Sequence, residues 1–349
     1  MQRFADLPVR VFNLDAPRKI SPAALCRVRR LIRSFDPQIV HTHLLRADLY
    51  GGLAARLAKV PVVLSSVYAV GSYRRDKVRR LDGLLDRMCR RLATDALAVS
   101  EAVRADLIER LGWPADRVNV VRTGTTFPDE SPDQAARRCI RQEWRAGDSA
   151  PLVLTIARLS YEKGIDVLIR SAGIVHRELP TARFVVLGEG PLKSALDRQI
   201  RDLGLTGVVH LAGFRPDVDA ALAAADLFVL PSLMEGMPNA ILEAYAAGRP
   251  VVATSAGGSS EAVDHERSGI LVPPHNAEAL ASAVVRVLRD EPLRRRLGRA
   301  GRAWARERFS IERVVGRYET LYERLYRARV RAAPPSIKDS LLRGPVTIT

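Results

Sequence analysis

The sequence predicts an α/β fold of two domains, each built around a parallel sheet. Its 349 residues are more than one hydrophobic core usually organises. Short apolar runs alternate with helical patterns, which is typical of parallel βαβ units. A polar stretch over 129–147 separates two such series and is predicted to connect the domains.

The first series begins with a short apolar run and continues through basic and apolar segments. Its predicted strands cover 8–14, 37–41, 61–66, 96–100 and 118–124. Its predicted helices cover 22–34 and 74–92, and a third ends at Leu111.

The second series is more regular and more apolar. Its predicted strands cover 151–158, 182–190, 208–214, 226–232 and 250–258. Its predicted helices cover 165–175, 192–203, 217–224, 239–247, 276–289, 292–308 and 311–329. The tail from 332 holds two prolines and no periodicity, which predicts loose order.

Composition restricts the classes of protein that this chain can be. A net charge of +16 and a pI of about 10.5 favour an anionic partner, such as a nucleotide-sugar, nucleic acid or anionic lipid surface, although an arginine-rich proteome would give the same bias. No window approaches the roughly 18 consecutive apolar residues of a membrane span, and the first residues, MQRFADLPVR, hold no secretory signal. Cys26, Cys89 and Cys139 lack CxxC spacing, so we expect free thiols and no zinc site. These features predict a cytoplasmic protein.

The segment 227–243, LFVLPSLMEGMPNAILE, carries the strongest chemical pattern. An apolar strand leads into a loop with Glu235, Gly236 and Pro238, and Glu243 follows eight positions after the first glutamate. Ligands of open parallel sheets bind outside the carboxyl ends of strands. A helix N-terminus at that place suits a diphosphate. Carboxylates beside phosphates point to hydroxyl groups, and sugars are rich in hydroxyls.

Arg158 and Lys163 lie where the first strand of the second series ends, in IARLSYEKGID. Such a pair can neutralise a leaving diphosphate, the arginine as a planar fork and the lysine as a point charge. Two basic residues at a helix start can also be a solvated turn. The presence of Glu235 and Glu243 after a later strand of the same series favours the binding role.

Two glycine pairs follow strands of the second series. Gly257 and Gly258 precede Glu261 in GGSSE, and Gly188 and Gly190 stand in GEGP. Glycines let a backbone approach a ligand closely, although a plain turn needs them too.

Together the R-x4-K, E-x7-E and GG-x-x-E elements resemble the donor site of retaining nucleotide-sugar glycosyltransferases of family 4. The resemblance is dense over 151–309 and looser over 32–126. It implies the GT-B architecture, two Rossmann-like domains with parallel sheets facing a cleft. It also implies that Arg158 and Lys163 contact the donor phosphates, that Glu235 touches donor-sugar hydroxyls and that Glu243 binds the ribose.

The resemblance also suggests which further groups contact the donor. Backbone amides of Gly236, Met237 and Asn239 are candidates for sugar or phosphate oxygens, whereas Pro238 has no N–H to donate. The glycine loops supply Gly188, Gly257, Gly258 and Glu261.

The implied reaction is retaining, needs no metal or other cofactor, and moves a hexose to a cell-envelope lipid or glycan. The leaving phosphate would be the base, and electrostatic stabilisation would supply most of the catalysis. The DVD at 217–219 begins a helix after Pro216, so we do not interpret it as a metal motif. Two alternatives stay open: a nucleotide-sugar-binding or inactive partner protein, and a GT-B epimerase, which would need acid and base side chains in the cleft. No nucleic-acid-binding module is recognised.

The acceptor side is less regular than the donor side. His41 and His43, in HTH, lie on one face of a strand end. A metal pair is a weaker interpretation than a structural or acceptor-side role. Tyr68 stands where many family members have an acceptor-side histidine, and RTGTT at 122–126 replaces the family's P-N-G-hydrophobic-D.

The predicted organisation has four parts. Residues 1–145 form an acceptor-side domain that lacks its opening strands, as if the chain were truncated at the N-terminus, and 146–308 form the donor-binding domain. Residues 309–330 form a helix that returns to the first domain, and 331–349 form a tail. The basic amphipathic helix over 74–92 predicts contact with an anionic membrane surface, hence a peripheral position at its inner face.

Overall fold

Two parallel sheets form the framework of the protein. The computed structural model describes residues 10–13, 21–69, 91–128, 134–147, 150–329 and 346–348. The predicted helix over 74–92 lies outside the described residues apart from positions 91 and 92, so the membrane contact stays a prediction.

The first sheet consists, within the described residues, of four parallel strands in the order β2-β3-β4-β5. Its strands are β2 Ile39–His43, β3 Val62–Val67, β4 Asp95–Ala98 and β5 Val118–Val120. Its flanking helices are α1 Pro22–Phe35, α2 Leu44–Ala47, α3 Leu53–Leu57 and α4 Glu101–Glu109, with a π-helical turn at Asp48–Gly52. The register pairs His43 with Ser66, so the histidine-bearing end of β2 lies beside the end of β3.

The strand β1 Arg10–Phe12 stands apart from this sheet. It pairs in parallel with β12 Val346–Ile348 in a separate two-stranded sheet. The sequence predicts a strand of the first domain over 8–14 and a loosely ordered tail. Because residues 1–9 and 14–20 are not described, the absence of the opening strands stays a prediction.

The second sheet consists, in the described chain, of six parallel strands in the order β11-β10-β9-β6-β7-β8. Its strands are β6 Leu152–Ile156, β7 Arg183–Leu187, β8 Val209–Gly213, β9 Leu227–Leu230, β10 Val251–Thr254 and β11 Gly269–Val272. Its helices are α6 Ile165–Glu178, α7 Lys193–Asp202, α8 Val218–Ala224, α9 Asn239–Ala246, α10 Ser259–Ala262, α11 Ala277–Arg289 and α12 Glu291–Phe309.

The strand order of the second sheet determines where a ligand can bind. The neighbours β6 and β9 are the first and fourth strands of this domain along the chain, so the order reverses between them. Their apolar sequences, LVLTI and LFVL, are almost wholly buried, as expected for central strands covered by helices on both faces. A crevice opens at such a reversal point, outside the carboxyl ends. Arg158 and Glu235 follow these two ends.

A helix lies within the segment predicted to connect the domains. It is α5, Gln134–Glu143. Arg141 on it is 2% exposed and donates to the carbonyl oxygens of Ala150 and Ala224, at 2.6 and 2.9 Å, and to Asp226 at 3.0 Å. The polar composition of this segment did not predict the helix, because the burial of Arg141 depends on hydrogen bonds to particular oxygen atoms elsewhere in the chain.

The last long helix, α13 Ile311–Arg329, packs on the first sheet. Val314, Leu321 and Leu325 contact buried apolar residues of β3 and β4. Arg329 pairs with Asp95 at 2.8 Å. The helix thereby brings Tyr318 and Tyr322 beside the end of β2. The predicted α/β class with two parallel sheets is confirmed, and none of the described helices is long and apolar enough to span a membrane.

Candidate active site

Two loops meet at the carboxyl ends of β6 and β9. The backbone N–H of Leu233 donates to the carbonyl oxygen of Glu162 at 2.8 Å. Gly164 makes this approach possible: its φ is +60°, and a Cβ there would lie 2.2 Å from the carbonyl oxygen of Pro231. The glycine therefore lets the Arg158–Lys163 loop lie directly on the loop that carries Glu235.

Lys163 and Glu235 form an ion pair where these loops touch. Lys163 Nζ lies 2.6 Å from Glu235 Oε1, which also accepts a hydrogen bond from Ser232 Oγ at 2.7 Å. Glu235 is 8% exposed and the lysine side chain 24%. Ser232 donates to the same oxygen, so Glu235 has a second hydrogen-bond partner besides the lysine.

A cavity of about 140 Å³ adjoins this pair. Sequence analysis predicted four of its lining residues as donor-site groups. Its lining is Ile156, Lys163, Leu230, Glu235, Met237, Pro238, Asn239 and Ala240. The lining combines two charged side chains with apolar ones, which suits a ligand that carries polar groups.

Arg158 lies at the open end of the same edge. Its side chain is exposed and forms no ion pair or hydrogen bond with the described residues. Gly188 lies beside this loop with φ +136°, and a Cβ there would be 2.1 Å from the carbonyl oxygen of Ala157. The guanidinium is therefore free to contact an anion beside Lys163.

Glu243 lies on α9 and does not line the cavity. Burial, and then the negative charge of Asp219, raise the pKa of its carboxyl above the ordinary value. Its carboxylate has no hydrogen-bond partner within the described part of the chain. A half-buried acceptor of this kind is suited to a hydroxyl donor.

Gly257 and Gly258 approach another loop of the protein. A Cβ at Gly257 would lie 2.2 Å from the carbonyl oxygen of Glu235, and one at Gly258 would lie 2.0 Å from that of Gly236. A Cβ at Gly236 would in turn lie 1.9 Å from the carbonyl oxygen of Tyr68 in the first domain. These glycines allow three stretches of backbone to stack at the cleft.

Glu261 contacts the first domain. Its Oε1 accepts from the backbone N–H of Ala102 in the first turn of α4, at 3.1 Å, and its Oε2 lies 2.7 Å from Arg122. The hydroxyl of Thr123 donates across the same boundary to Asn239 at 2.8 Å. The donor-binding role of Glu261 stays a prediction, since its carboxylate is already occupied by first-domain groups.

The three acceptor-side candidates lie together at the ends of β2 and β3. The rings of His41 and His43 are 4.2 Å apart between centroids. His43 Nδ1 is 2.6 Å from the hydroxyl of Tyr68. His41 lies 2.7 Å from both the hydroxyl of Tyr322 and Oγ of Ser66. This acceptor-side cluster faces the second domain through Tyr68.

The two histidines are neutral near pH 7. Burial, and then the adjacent His43, lower the pKa of His41 to about 3. Burial also lowers the pKa of His43. A neutral imidazole can both donate and accept, so this cluster can orient hydroxyl groups.

Sequence analysis missed several groups of the site. Ser232 and Gly164 carried no family pattern by themselves. Tyr318 and Tyr322 are spaced four apart on a predicted helix, which places them on one face, but the sequence did not show which strand end that face would meet. Among the described residues no group of three or more His, Cys, Asp and Glu side chains is placed to hold a metal ion.

Comparison with known proteins agrees with this geometry. The model of the Glycosyltransferase Family 4 matches residues 2–126, and that of the Glycosyl transferases group 1 matches 136–304. The crystal structure of Anabaena HepE in complex with UDP-glucose superposes with a TM-score of 0.77 at 24% identity, over 86% of this chain and 82% of that one.

Two curated relatives align over most of the chain. A GDP-mannose-dependent alpha-(1-6)-phosphatidylinositol monomannoside mannosyltransferase of Mycobacterium tuberculosis is 31% identical over 300 residues, 81% of this chain and 75% of the relative. An N,N'-diacetylbacillosaminyl-diphospho-undecaprenol alpha-1,3-N-acetylgalactosaminyltransferase of Campylobacter jejuni is 26% identical over 341 residues, 93% of this chain and 88% of the relative. The chain spans 44% and 61% of the length of two other curated relatives.

The fold defines a protein of the GT-B class, with two parallel-sheet domains and the candidate site at the carboxyl ends of β6 and β9 in the second. The predicted resemblance is confirmed: the chain belongs to glycosyltransferase family 4, whose second domain is that of the group 1 glycosyl transferases.

Proposed function

We propose that this protein transfers a hexose, with retention and without a metal, from a nucleoside-diphosphate sugar to a lipid-linked or glycan acceptor. The observation that carries the proposal is the Lys163–Glu235 pair beside a cavity, with Arg158 unpaired at the same sheet edge. Arg158 and Lys163 are the cations for a diphosphate, and Glu235 is the carboxylate for sugar hydroxyls; all three follow neighbouring strands of the same sheet edge. The names of the two relatives support a lipid-linked acceptor.

The donor half works through charge. Arg158 and Lys163 hold the diphosphate and stabilise the negative charge that develops as it leaves. Ser232 keeps Glu235 in place when Lys163 turns from the carboxylate to the phosphate. Glu235 then accepts hydrogen bonds from the sugar hydroxyls, while Glu243 accepts from the ribose.

The acceptor half works through neutral hydrogen-bonding groups. His43 and Tyr68 are hydrogen-bonded at 2.6 Å and face the second domain, where the backbone of Tyr68 lies against Gly236. They can orient an acceptor hydroxyl toward the anomeric carbon. The leaving phosphate oxygen takes the acceptor proton, and attack from the same face keeps the anomeric configuration.

The first experiment incubates the chain with a panel of UDP- and GDP-sugars and lipid-linked glycans, and identifies products by mass spectrometry. We expect a product one hexose heavier, with the α configuration by NMR when an α-linked donor is used. Inversion would exclude the retaining mechanism. Nucleotide binding without transfer to any acceptor would favour the binding-protein alternative, and a changed sugar on the nucleotide would favour the epimerase.

The two glutamates give the test of residue roles. Because Glu235 is assigned to the sugar, Glu235→Gln should lower turnover by at least tenfold and change the affinity for UDP or GDP by less than threefold. Because Glu243 is assigned to the ribose, Glu243→Gln should weaken nucleotide binding itself by about tenfold, the loss of a hydrogen bond to a charged group. Calorimetry and initial rates measure both. Equal loss of nucleotide binding in the two variants, with turnover per bound donor intact, would contradict this division.

A further inference from the structure

Four arginines converge where α12 ends and α13 begins, at the carboxyl edge of the first sheet. We call Arg122, Arg308, Arg313 and Arg317 the arginine cluster. Arg122 follows β5, Arg308 lies in the last turn of α12, and Arg313 and Arg317 lie one turn apart on α13. Side chains four apart on a helix share a face.

The backbone fixes these segments against one another. The N–H of Thr125 donates to the carbonyl oxygen of Phe309 at 2.9 Å, and the N–H of Ile311 donates to that of Thr125 at 3.1 Å. A Cβ at Gly124 would lie 2.8 Å from Val314. The loop that carries Arg122 therefore cannot move away from α13 without breaking hydrogen bonds and packing.

The charge of this cluster is not balanced by the protein. Arg122 pairs with Glu261 at 2.7 Å. Arg308, Arg313 and Arg317 form no ion pair with any residue that the structure describes. Three cations at the junction of α12 and α13 therefore have no ion-pair partner among the described residues, and they lie near the positive N-terminal end of α13.

The pKa of Arg317 reflects the excess of positive charge around it. Burial, and then the charges of Arg122, Arg313 and Arg308, lower the pKa of its guanidinium. Arg308 stacks over the ring of Trp304, with its guanidinium carbon 3.9 Å from the ring centroid. That contact fixes the position of Arg308 without neutralising its charge.

The cluster adjoins the acceptor-side groups. Tyr318 directly follows Arg317, and its ring lies 6.1 Å from that of His41 between centroids. His41 in turn stacks on His43, which bonds Tyr68. The helix α13 therefore carries two arginines of the cluster and also a ring that contacts the acceptor-side groups.

We propose that the arginine cluster, at the carboxyl edge of the first sheet, binds the phosphate or diphosphate group of the acceptor. The inference rests on the proposed function, and it specifies the acceptor as a phosphate-linked molecule. Guanidinium forks bind phosphate oxygens in pairs, which makes arginine suited to this group. The unbalanced charge at one rim of the cleft would orient the acceptor so that its sugar end meets the donor.

The test measures anion binding directly. Inorganic pyrophosphate is titrated by calorimetry into the full chain saturated with UDP or GDP. We expect binding to the wild-type chain and at least tenfold weaker binding to the Arg313→Gln/Arg317→Gln double variant. The matched control is Arg299→Gln, an exposed arginine of α12 that forms no ion pair with the described residues. Nucleotide affinity and thermal unfolding should match in all three proteins, because both substituted arginines are exposed.

Equal pyrophosphate affinity in the double variant and the wild type, or no second binding event in the nucleotide-saturated wild type, would overturn the inference. Loss of pyrophosphate binding in Arg299→Gln as well would show a general charge effect and would overturn it too. A chain that binds no nucleotide would refute the donor site instead. In that case pyrophosphate binding is compared among the same variants without nucleotide. The result then tests the arginine cluster independently of the donor site.

A second arm identifies the source of the phosphate. A water-soluble short-chain prenyl diphosphate is compared with vesicles of phosphatidylcholine alone and with vesicles that contain phosphatidylglycerol. We expect arginine-dependent binding of the prenyl diphosphate. If only the phosphatidylglycerol vesicles bind in an arginine-dependent way, the cluster contacts bulk membrane headgroups and the acceptor assignment is wrong.

Discussion

At the residue scale, the proposed reaction requires Lys163 to exchange one anionic partner for another. In the structure it contacts Glu235 at 2.6 Å, whereas the proposed reaction needs it on the donor diphosphate. Lys163→Ala removes the charge, so the affinity for UDP or GDP should fall by roughly tenfold to a hundredfold, equivalent to about 1.5–3 kcal/mol. Calorimetry at matched fold stability measures this.

The control for this variant is Lys193→Ala, since Lys193 is an exposed lysine that pairs with Asp197 at 2.8 Å. Lys163→Arg should retain part of the affinity because the charge remains. Unchanged affinity of Lys163→Ala for every nucleotide tested would remove the lysine from the donor site.

The acceptor-side histidines predict a pH dependence of stability. The pKa of His41 is about 3 in the folded chain, against about 6.5 in an unfolded one. The unfolded state therefore binds more protons between these values, and stability rises with pH through that window. On acidification from pH 7 to pH 5, His41 should cost about 2 kcal/mol of folding free energy.

Denaturant unfolding at the two pH values, compared between the wild type and His41→Asn, gives the measurement. The difference between pH 7 and pH 5 should shrink in the variant. His210→Asn, an exposed histidine of β8, serves as control and should keep the wild-type difference. If His41→Asn retains it as well, His41 is not the group that resists protonation.

At the scale of elements, the proposed donor site depends on how closely the Lys163 loop and the Glu235 loop approach each other. Gly164→Ala should push the Lys163 loop off Pro231, because its Cβ would lie 2.2 Å from a carbonyl oxygen and its φ is +60°. We expect a loss of more than 1 kcal/mol of stability from the strained backbone and the clash together, with weaker nucleotide binding.

Gly204→Ala separates these two effects. Gly204 has a similar φ of +67°, but a Cβ there would have no atom within 4 Å. It should lose stability through its backbone alone and keep full nucleotide affinity. Equal nucleotide affinity in the two alanine variants would show that the close approach of the loops does not position Lys163.

The order of elements was predictable from sequence because apolar strands and amphipathic helices differ in period. The strands that precede Arg158 and Glu235 were predicted, and the crevice follows from their place in a parallel sheet. The helix α5 and the strand β11 were missed. Burial of α5 depends on hydrogen bonds from Arg141 to carbonyl oxygens far along the chain, and such partners leave no local pattern.

The contacts between loops could not be predicted from the sequence either. Gly257 and Gly258 were predicted to approach a ligand, and this stays a prediction; the structure shows that they approach the backbone of the Glu235 loop. A glycine pattern reports that something comes close, and it does not say whether that is ligand or protein. The rings of His41 and His43 lie side by side, as their alternation in the strand predicted. The partners of His41, Tyr318 and Tyr322, come from a helix about 280 residues later.

At the scale of the whole molecule, Glu261 joins the two domains. Its carboxylate contacts Arg122 and the N–H of Ala102, both in the first domain, while its own loop stacks on the Glu235 loop. The position of the donor loops is therefore linked to the position of α4 and of the Arg122 loop. Substituting Glu261 should loosen the cleft without touching Lys163.

The prediction for this contact concerns a single amide. In Glu261→Ala the N–H of Ala102 loses its acceptor, so its hydrogen exchange should become at least tenfold faster, and Arg122→Ala should give a smaller acceleration because the carboxylate remains near the helix. The charge pair should also show a coupling free energy of roughly 0.5–3 kcal/mol in a double-mutant cycle, as expected for residues in contact.

Arg267→Ala is the control, since Arg267 is 84% exposed and lies 4.0 Å from Asp264 in its own domain. Exchange at Ala102 that stays protected in Glu261→Ala would mean that the domains keep their arrangement without this contact. Protection lost together with nucleotide affinity would instead show that the interdomain contact holds the donor loops in their binding position.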